Sequence, residues 1–237
     1  MNPIRRVRNE KSFITGVLLT IPICLGIVLV GISFGLLAMQ AGFSAFQTVL
    51  MSAMVMAGSS QLMAVGMVAQ GASVISIVIA TFFVNLRHIV MSSSAMSRLQ
   101  DTPIGYRMLG AFALCDESFA VFSLAEEHSF PLLMGSNTAM YITWILSSAL
   151  GCVLNNVIPQ VIANSFGIAI YAAFLAMLLP AVKKNARLLV LVLLTALMNY
   201  LLQLFIPSSW AIIISMILGA FLGVFFVELE EEEERHE

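Results

Sequence analysis

The sequence predicts an all-α fold, a polytopic bundle of transmembrane helices with about seven to eight membrane segments, some broken or re-entrant. Two observations predict it. First, 60% of the 237 residues are hydrophobic and only 10% are charged, against about 25% charged in a soluble domain. Second, the scarce charge is bunched. No Asp, Glu, Lys, Arg or His occurs in the 75 residues Ser12–Leu86, the 54 residues Ser129–Val182 or the 40 residues Leu188–Val227. A spanning helix needs about 20 apolar residues, so each stretch holds more than one. An ordinary soluble enzyme, a disordered chain and a nucleic-acid binder are excluded.

Eight apolar segments follow in order. Segment one, Phe13–Met39, succeeds a basic cluster of Arg5, Arg6, Arg8 and Lys11. It is too long for the apolar core of a signal peptide and has no small-residue cleavage site, so it is expected to stay. Gln40-Ala41-Gly42 ends it, and segment two, Ser44–Ala69, carries an interruption at Gly58-Ser59-Ser60. Gln70-Gly71 separates it from segment three, Ala72–Leu99, and Asp101-Thr102-Pro103 from segment four, Tyr106–Leu124. Glu126-Glu127-His128 leads to segment five, Met134–Ile158, with an interruption at Asn155-Asn156 and Pro159 after it. Segment six, Phe166–Val182, ends at Lys183-Lys184-Asn185. Segment seven, Leu188–Phe205, ends at Pro207-Ser208-Ser209, before segment eight, Ser209–Val227. The chain thus divides into a basic cytoplasmic segment (1–12), a transmembrane domain (13–227) and an acidic tail (228–237). The formal charge of −2 hides this division, because the tail holds seven of the 13 acids and the remainder is +4. The glutamate run has the character of a solvated end.

Every loop is short, so any binding site lies inside the membrane body. The Lys/Arg bias near span ends places the N-terminus in the cytoplasm. Eight full spans would put Lys183, Lys184 and Arg187 inside but Arg98 and Arg107 outside, against the bias. Six full spans bring every basic loop inside, if one of segments one to three and one of four to six are re-entrant or broken. Gly58-Ser59-Ser60 and Asn155-Asn156 are the candidate interruptions. Both arrangements stand on the sequence, with parity placing the C-terminus inside. Paired broken segments in two halves are also how repeat-built transporters place a site at mid-membrane.

Ionisable groups inside segments are the candidate functional residues, since each costs about 2.5–3.5 kcal/mol at a helix centre. Arg87 and His88 sit in segment three, and Asp116 and Glu117 in segment four. Either Arg87 pairs with a carboxylate and ties two helices together, or the cluster binds a charged substrate or relays protons. His88, Asp116 and Glu117 are the proton-relay candidates, His88 because it titrates nearest neutral pH. A second constellation is Gly58, Ser59, Ser60 and Gln61. Small and polar residues there permit an opened helix whose amides attract a carboxylate, or simply close helix packing. Asn137, Tyr141 and Trp144 share one helical face and either line a cavity or form an interfacial belt. Gly31/Gly35 and Gly219/Gly223 are small-residue packing pairs. Cys24, Cys115 and Cys152 lack metal or redox spacing and read as small buried hydrophobes. No cofactor or metal site is expected.

These motifs together resemble the AzlC family, the large subunit of two-component branched-chain amino acid exporters. The matching stretches are Gly31-Ile-Ser-Phe-Gly35, Met51-Ser52 with Ala57-Gly-Ser-Ser-Gln61, Asn85-Leu-Arg-His88, Asp116-Glu-Ser-Phe-Ala120, Tyr141-x-x-Trp144 and Gly151. They fit over about Gly16 to Pro180. Gly151 is followed by Asn155 where the family often has a second glycine, which puts the helix packing there in question. The resemblance implies export of valine, leucine and isoleucine, sometimes methionine, across a bacterial inner or plasma membrane. It also implies a small hydrophobic AzlD-type partner subunit. An amino acid zwitterion suits the residues. Arg87 or the amides near Gly58–Ser60 would take the carboxylate, and Asp116 or Glu117 the ammonium. Phe34 and neighbouring apolar groups would receive the side chain, with Asn85, Asn137, Tyr141 and Trp144 as further site candidates. No P-loop is present, so transport is expected to be secondary. The alternatives are an intramembrane hydrolase using Ser59 or Ser60 with His88, although the G-x-S-x-G elbow is missing, and a passive channel.

Overall fold

The computed structural model describes residues 3–155, 157, 175, 178, 179, 182, 183 and 185–234. Among these there are nine helices. They are α1 (Pro3–Gln40), α2 (Ala45–Met54), α3 (Gly58–Ala69), α4 (Val74–Ser97), α5 (Ile104–Phe112), α6 (Asp116–Leu124), α7 (Phe130–Asn155), α8 (Ala186–Gln203) and α9 (Ser208–Glu234). Portions of α1, α4, α7 and α8 are long and apolar enough to cross a membrane, and α9 holds a shorter apolar run, Trp210–Val224. α1 is continuous through the basic N-terminal segment, and α9 continues helically into the glutamate run. Most of segment six, with Asn156 and Pro159, lies outside the described residues.

The frame is the seam between α1 and α7, the most extensive helix contact among the described residues. A Cβ added at Gly16 would meet Leu132, at Gly31 Ser147, and at Gly35 Ser148 and Gly151. Residue numbers rise together on both sides, so the two helices run parallel. Small residues let the backbones touch, which is how helices associate without a hydrophobic drive from lipid. The Gly31/Gly35 pair is therefore a packing motif, as is Gly219, which faces Thr195 across the α8–α9 contact. Gly151 packs directly on Gly35 despite the Asn155 departure.

We call the end where α1 and α7 begin basal and the opposite end distal. After α1, a turn with Gly42 at φ +92 leads to Ser44, which caps α2 in a box with Gln47. α2 thus starts distally. A second turn, with Gly71 at φ +71, joins α3 to α4, whose N-cap is Ser73. The last residues of α4 are basal. Met96 lies close to Gly110, beside Leu133 and Phe130 at the start of α7, and Arg98 donates to the Ser123 carbonyl at 3.3 Å. α4 therefore runs from distal to basal, and α3 must end distally, where α2 began. By the same reasoning α5 begins basally after α4, and α6 ends basally before α7. Segments two and four are therefore re-entrant hairpins that enter from opposite ends and meet inside the bundle. Each arm is 9–12 residues, about 13–18 Å, or roughly half of a bilayer core of about 30 Å.

This geometry agrees with the arrangement in which segments two and four do not span, and it adds a break that the sequence did not offer. The interruption beside Gly58 is present, as the extended residues Val55–Ala57. A second is at Ala113–Cys115 in segment four. α7 runs to Asn155, and the expected interruption at Asn155-Asn156 falls at this end, with Asn156 itself outside the described residues. Lys11, Arg98, Arg107 and Arg187 all fall at the basal end. α8 rises from that end, and α9 returns with Ile213 packed near Met67 and Ala80, so the acidic tail is basal as well.

Breaking a helix in a membrane frees carbonyls that lipid cannot satisfy. α7 supplies the partners for both hairpins. The Tyr141 hydroxyl donates to Ala53 O, near the end of α2, at 2.6 Å, and Asn137 Nδ2 donates to Gly110 O, near the end of α5, at 2.9 Å. Ser52 and Ser148 hydroxyls pair at 2.9 Å and fix α2 against α7. Tyr141→Phe is expected to leave Ala53 O unbonded and cost about 1–3 kcal/mol. A lower melting temperature in detergent, compared with Phe at the exposed Tyr200, would register it. Equal melting would show that water replaces the phenol.

Candidate functional site

The hairpin tips enclose a cavity of about 320 Å³, within the about 300–1,000 Å³ range of ligand pockets. Both returning arms, α3 and α6, begin at this cavity, so two helix N-termini converge on it. α3 starts at Gly58 after Ala57, which gives no side-chain cap. Its first N–H groups therefore lack intrahelical partners and carry the positive end of the helix dipole. α6 starts at Asp116, with Glu117 next, and its N-terminus is closed by Ser118 accepting from the Cys115 N–H at 3.1 Å. Acids in a first turn are favoured by the same dipole. The two tips thus differ, one a bare amide end and the other carrying two carboxyl groups.

Arg87 joins them. It projects from the middle of α4, and its Nη2 donates both to Ser59 Oγ and to Asp116 Oδ2, the latter at 2.8 Å. One guanidinium nitrogen therefore bridges the tips of opposed hairpins. The His88 ring approaches the Leu114 backbone in the second break and lies within electrostatic reach of Asp116 and Arg87. Among the described residues His88 Nε2, Arg87 Nε, Asn85 Oδ1 and Gln61 Nε2 are buried without hydrogen-bond partners.

Of the residues expected to form a site, Gly58, Ser59, Arg87, Asp116, Glu117 and Trp144 line the cavity. The others stand behind it. Ser60 Oγ donates to Ala57 O at 2.9 Å. Gln61 Oε1 accepts from Trp144 Nε1 at 2.8 Å, and Phe34, wholly buried, stacks on Trp144 with ring centroids 5.6 Å apart. Asn137 and Tyr141 are not in the wall. They share the face of Trp144 but serve the hairpin carbonyls, not an interfacial belt. Asn85 and His88 lie beside Arg87 outside the lining. Sequence reasoning missed the apolar part of the wall: Ile27 and Val30 of α1, Met56, Leu62, Cys115, Met140 and Leu178. Such residues look the same in sequence whether they face a cavity, a neighbour or lipid. Cys24 lies 3.7 Å from Met140 sulfur to sulfur, and all three cysteines are free. Among the described residues no group of three or more His, Cys, Asp or Glu is placed to hold a metal ion.

The AzlC protein family matches residues 22–158, which include both hairpins and Arg87. An uncharacterized membrane protein of Archaeoglobus fulgidus is 32% identical over 178 residues, 74% of this chain and 78% of that protein. The inner membrane protein YgaZ of Escherichia coli is 25% identical over 191 residues, covering 77% and 78%. The branched-chain amino acid transport protein AzlC of Bacillus subtilis is 33% identical over 103 residues, 43% of this chain and 40% of that relative. No solved structure matches.

Proposed function

The chain belongs to the AzlC family, and on that premise we propose that it is a secondary transporter exporting branched-chain amino acids with a small AzlD-type partner subunit. Valine, leucine and isoleucine are the substrates, with methionine a further one. The carrying observation is that a single cavity joins a pole of both charge signs to an apolar wall. The amide end of α3 and Arg87 attract a carboxylate. Asp116 and Glu117 attract an ammonium group, and Ile27, Val30, Met56, Leu62 and Met140 receive a branched side chain. A wall of this kind separates neighbouring side chains by only about 1–3 kcal/mol per methylene, so overlapping substrates are expected. His88, Asp116 and Glu117 would relay protons between the cavity and the basal end, which faces the cytoplasm by its Lys/Arg content.

The hydrolase reading is not favoured. The Ser59 hydroxyl accepts from Arg87 and the Ser60 hydroxyl donates to Ala57 O, so the hydrogen bonds given to these serines do not run to a His88 base.

Cells lacking their own exporters, fed valine, leucine or isoleucine dipeptides, test the proposal. Expressing the chain with its partner subunit is expected to raise external free amino acid and lower the internal pool. Unchanged release with both subunits in the membrane would sink it. Release that ignores an imposed proton gradient and does not saturate would favour the passive channel.

A further inference from the structure

Resting on that reading, we propose that Trp144 is the specificity-determining wall of the cavity and sets the widest side chain the protein exports. The indole is held from three directions. Its N–H donates to Gln61 at 2.8 Å, its face stacks on Phe34 at 27° between planes, and its six-membered ring lies against Gly58. It is 4% exposed. The Gly58 contact is close enough that an added Cβ would stand 2.9 Å from Trp144 Cη2. Real Cβ atoms almost never approach so near, and a ring fixed on its other sides cannot swing away. Glycine there is thus matched to the tryptophan.

Part of the remaining apolar wall is of a different kind. Met56 and Met140 are unbranched and flexible, and such side chains refit to varied shapes. One side of the cavity therefore yields to branching at different carbons, while the other, beside the amide end of α3, does not yield. A substrate anchored by its carboxylate at that end and by its ammonium at Asp116 or Glu117 lays its side chain beside this rigid ring, which limits breadth: the slender methionine chain fits, and a wide, planar side chain does not. Branched aliphatic chains pass and an aromatic ring is stopped.

Trp144→Phe keeps a ring against Phe34 but removes the fused pyrrole and the Gln61 bond. The experiment co-expresses each variant with the partner subunit and measures leucine and phenylalanine release from cells fed the corresponding dipeptides. In Trp144→Phe the phenylalanine-to-leucine release ratio is expected to rise about tenfold or more, with leucine release falling. Gly58→Ala is expected to lose release of both, and Gly58→Ala/Trp144→Phe to regain it, because the smaller ring leaves room for the methyl. Trp144→Tyr, a second ring replacement, gives the same readout if Trp144→Phe fails to reach the membrane. An unchanged ratio with leucine release still measurable overturns the inference, as does a Gly58→Ala defect that the smaller ring leaves untouched. No leucine release from the unaltered protein would instead overturn the transport reading itself.

Discussion

Arg87→Ala is expected to abolish amino acid release, the largest functional effect of any single substitution in this chain. The reason is geometric. Ser59 belongs to the hairpin entering from the distal end and Asp116 to the one entering from the basal end, and one nitrogen of Arg87 holds both. Removing it separates the tips and takes away the cation beside the α3 amide end. It also leaves Asp116 without its partner at mid-membrane, where a lone acid costs about 2.5–3.5 kcal/mol, so some protein is expected to be lost as well. Asp116→Asn keeps shape and removes charge, and is expected to stop release with less effect on protein amount. The double change Arg87→Ala/Asp116→Ala separates structure from function. Restored protein without restored release assigns the pair to transport. Restored release would make it a structural tie and overturn the site.

The topology was legible in the placement of six or seven basic residues more than in any helix pattern. Arg98 and Arg107 are on the wrong side if every segment spans, and folding segments two and four back on themselves puts them at the basal end. The first break announced itself through Gly58, a residue that tolerates close approach by Trp144. The second did not. Ala113-Leu114-Cys115 contains no glycine or proline, and its signal is the acid pair Asp116-Glu117, which marks a helix first turn. Within an apolar segment those acids read as site residues on a continuous helix, so no interruption was expected beside them. The same ambiguity affects Asn137 and Tyr141. Their common face was visible from spacing alone, but their partners are carbonyls 27 and 88 residues away, exposed only because two other helices stop short. Helical periodicity does not encode that.

Gly35→Val is expected to be the most damaging change to stability, because among the described residues no other helix pair forms a seam like α1–α7. A Cβ at Gly35 overlaps the Ser148 carbonyl oxygen and comes 2.9 Å from the Gly151 Cα. Both obstacles are backbone, so no rotamer change relieves them and the helices must separate. Overpacking costs typically 1–3 kcal/mol, and with backbone on both sides the upper end applies. In a chain of this length that corresponds to a melting temperature lower by about 6–12 °C. Gly26→Ala is the matching control, since on the same helix nothing lies within 4 Å of its added Cβ. Melting in detergent and the amount of protein in the membrane should be close to unaltered for Gly26→Ala and clearly lower for Gly35→Val. Equal behaviour would mean that the seam is plastic. The consequence for transport follows from what the seam carries. Tyr141 and Asn137 hang both hairpins on α7, and Phe34 on α1 backs Trp144. Separating α1 from α7 therefore displaces the Trp144 wall from its Phe34 support without touching the Arg87–Asp116 pair. At temperatures where Gly35→Val still folds, discrimination between leucine and phenylalanine is expected to weaken before leucine release is lost.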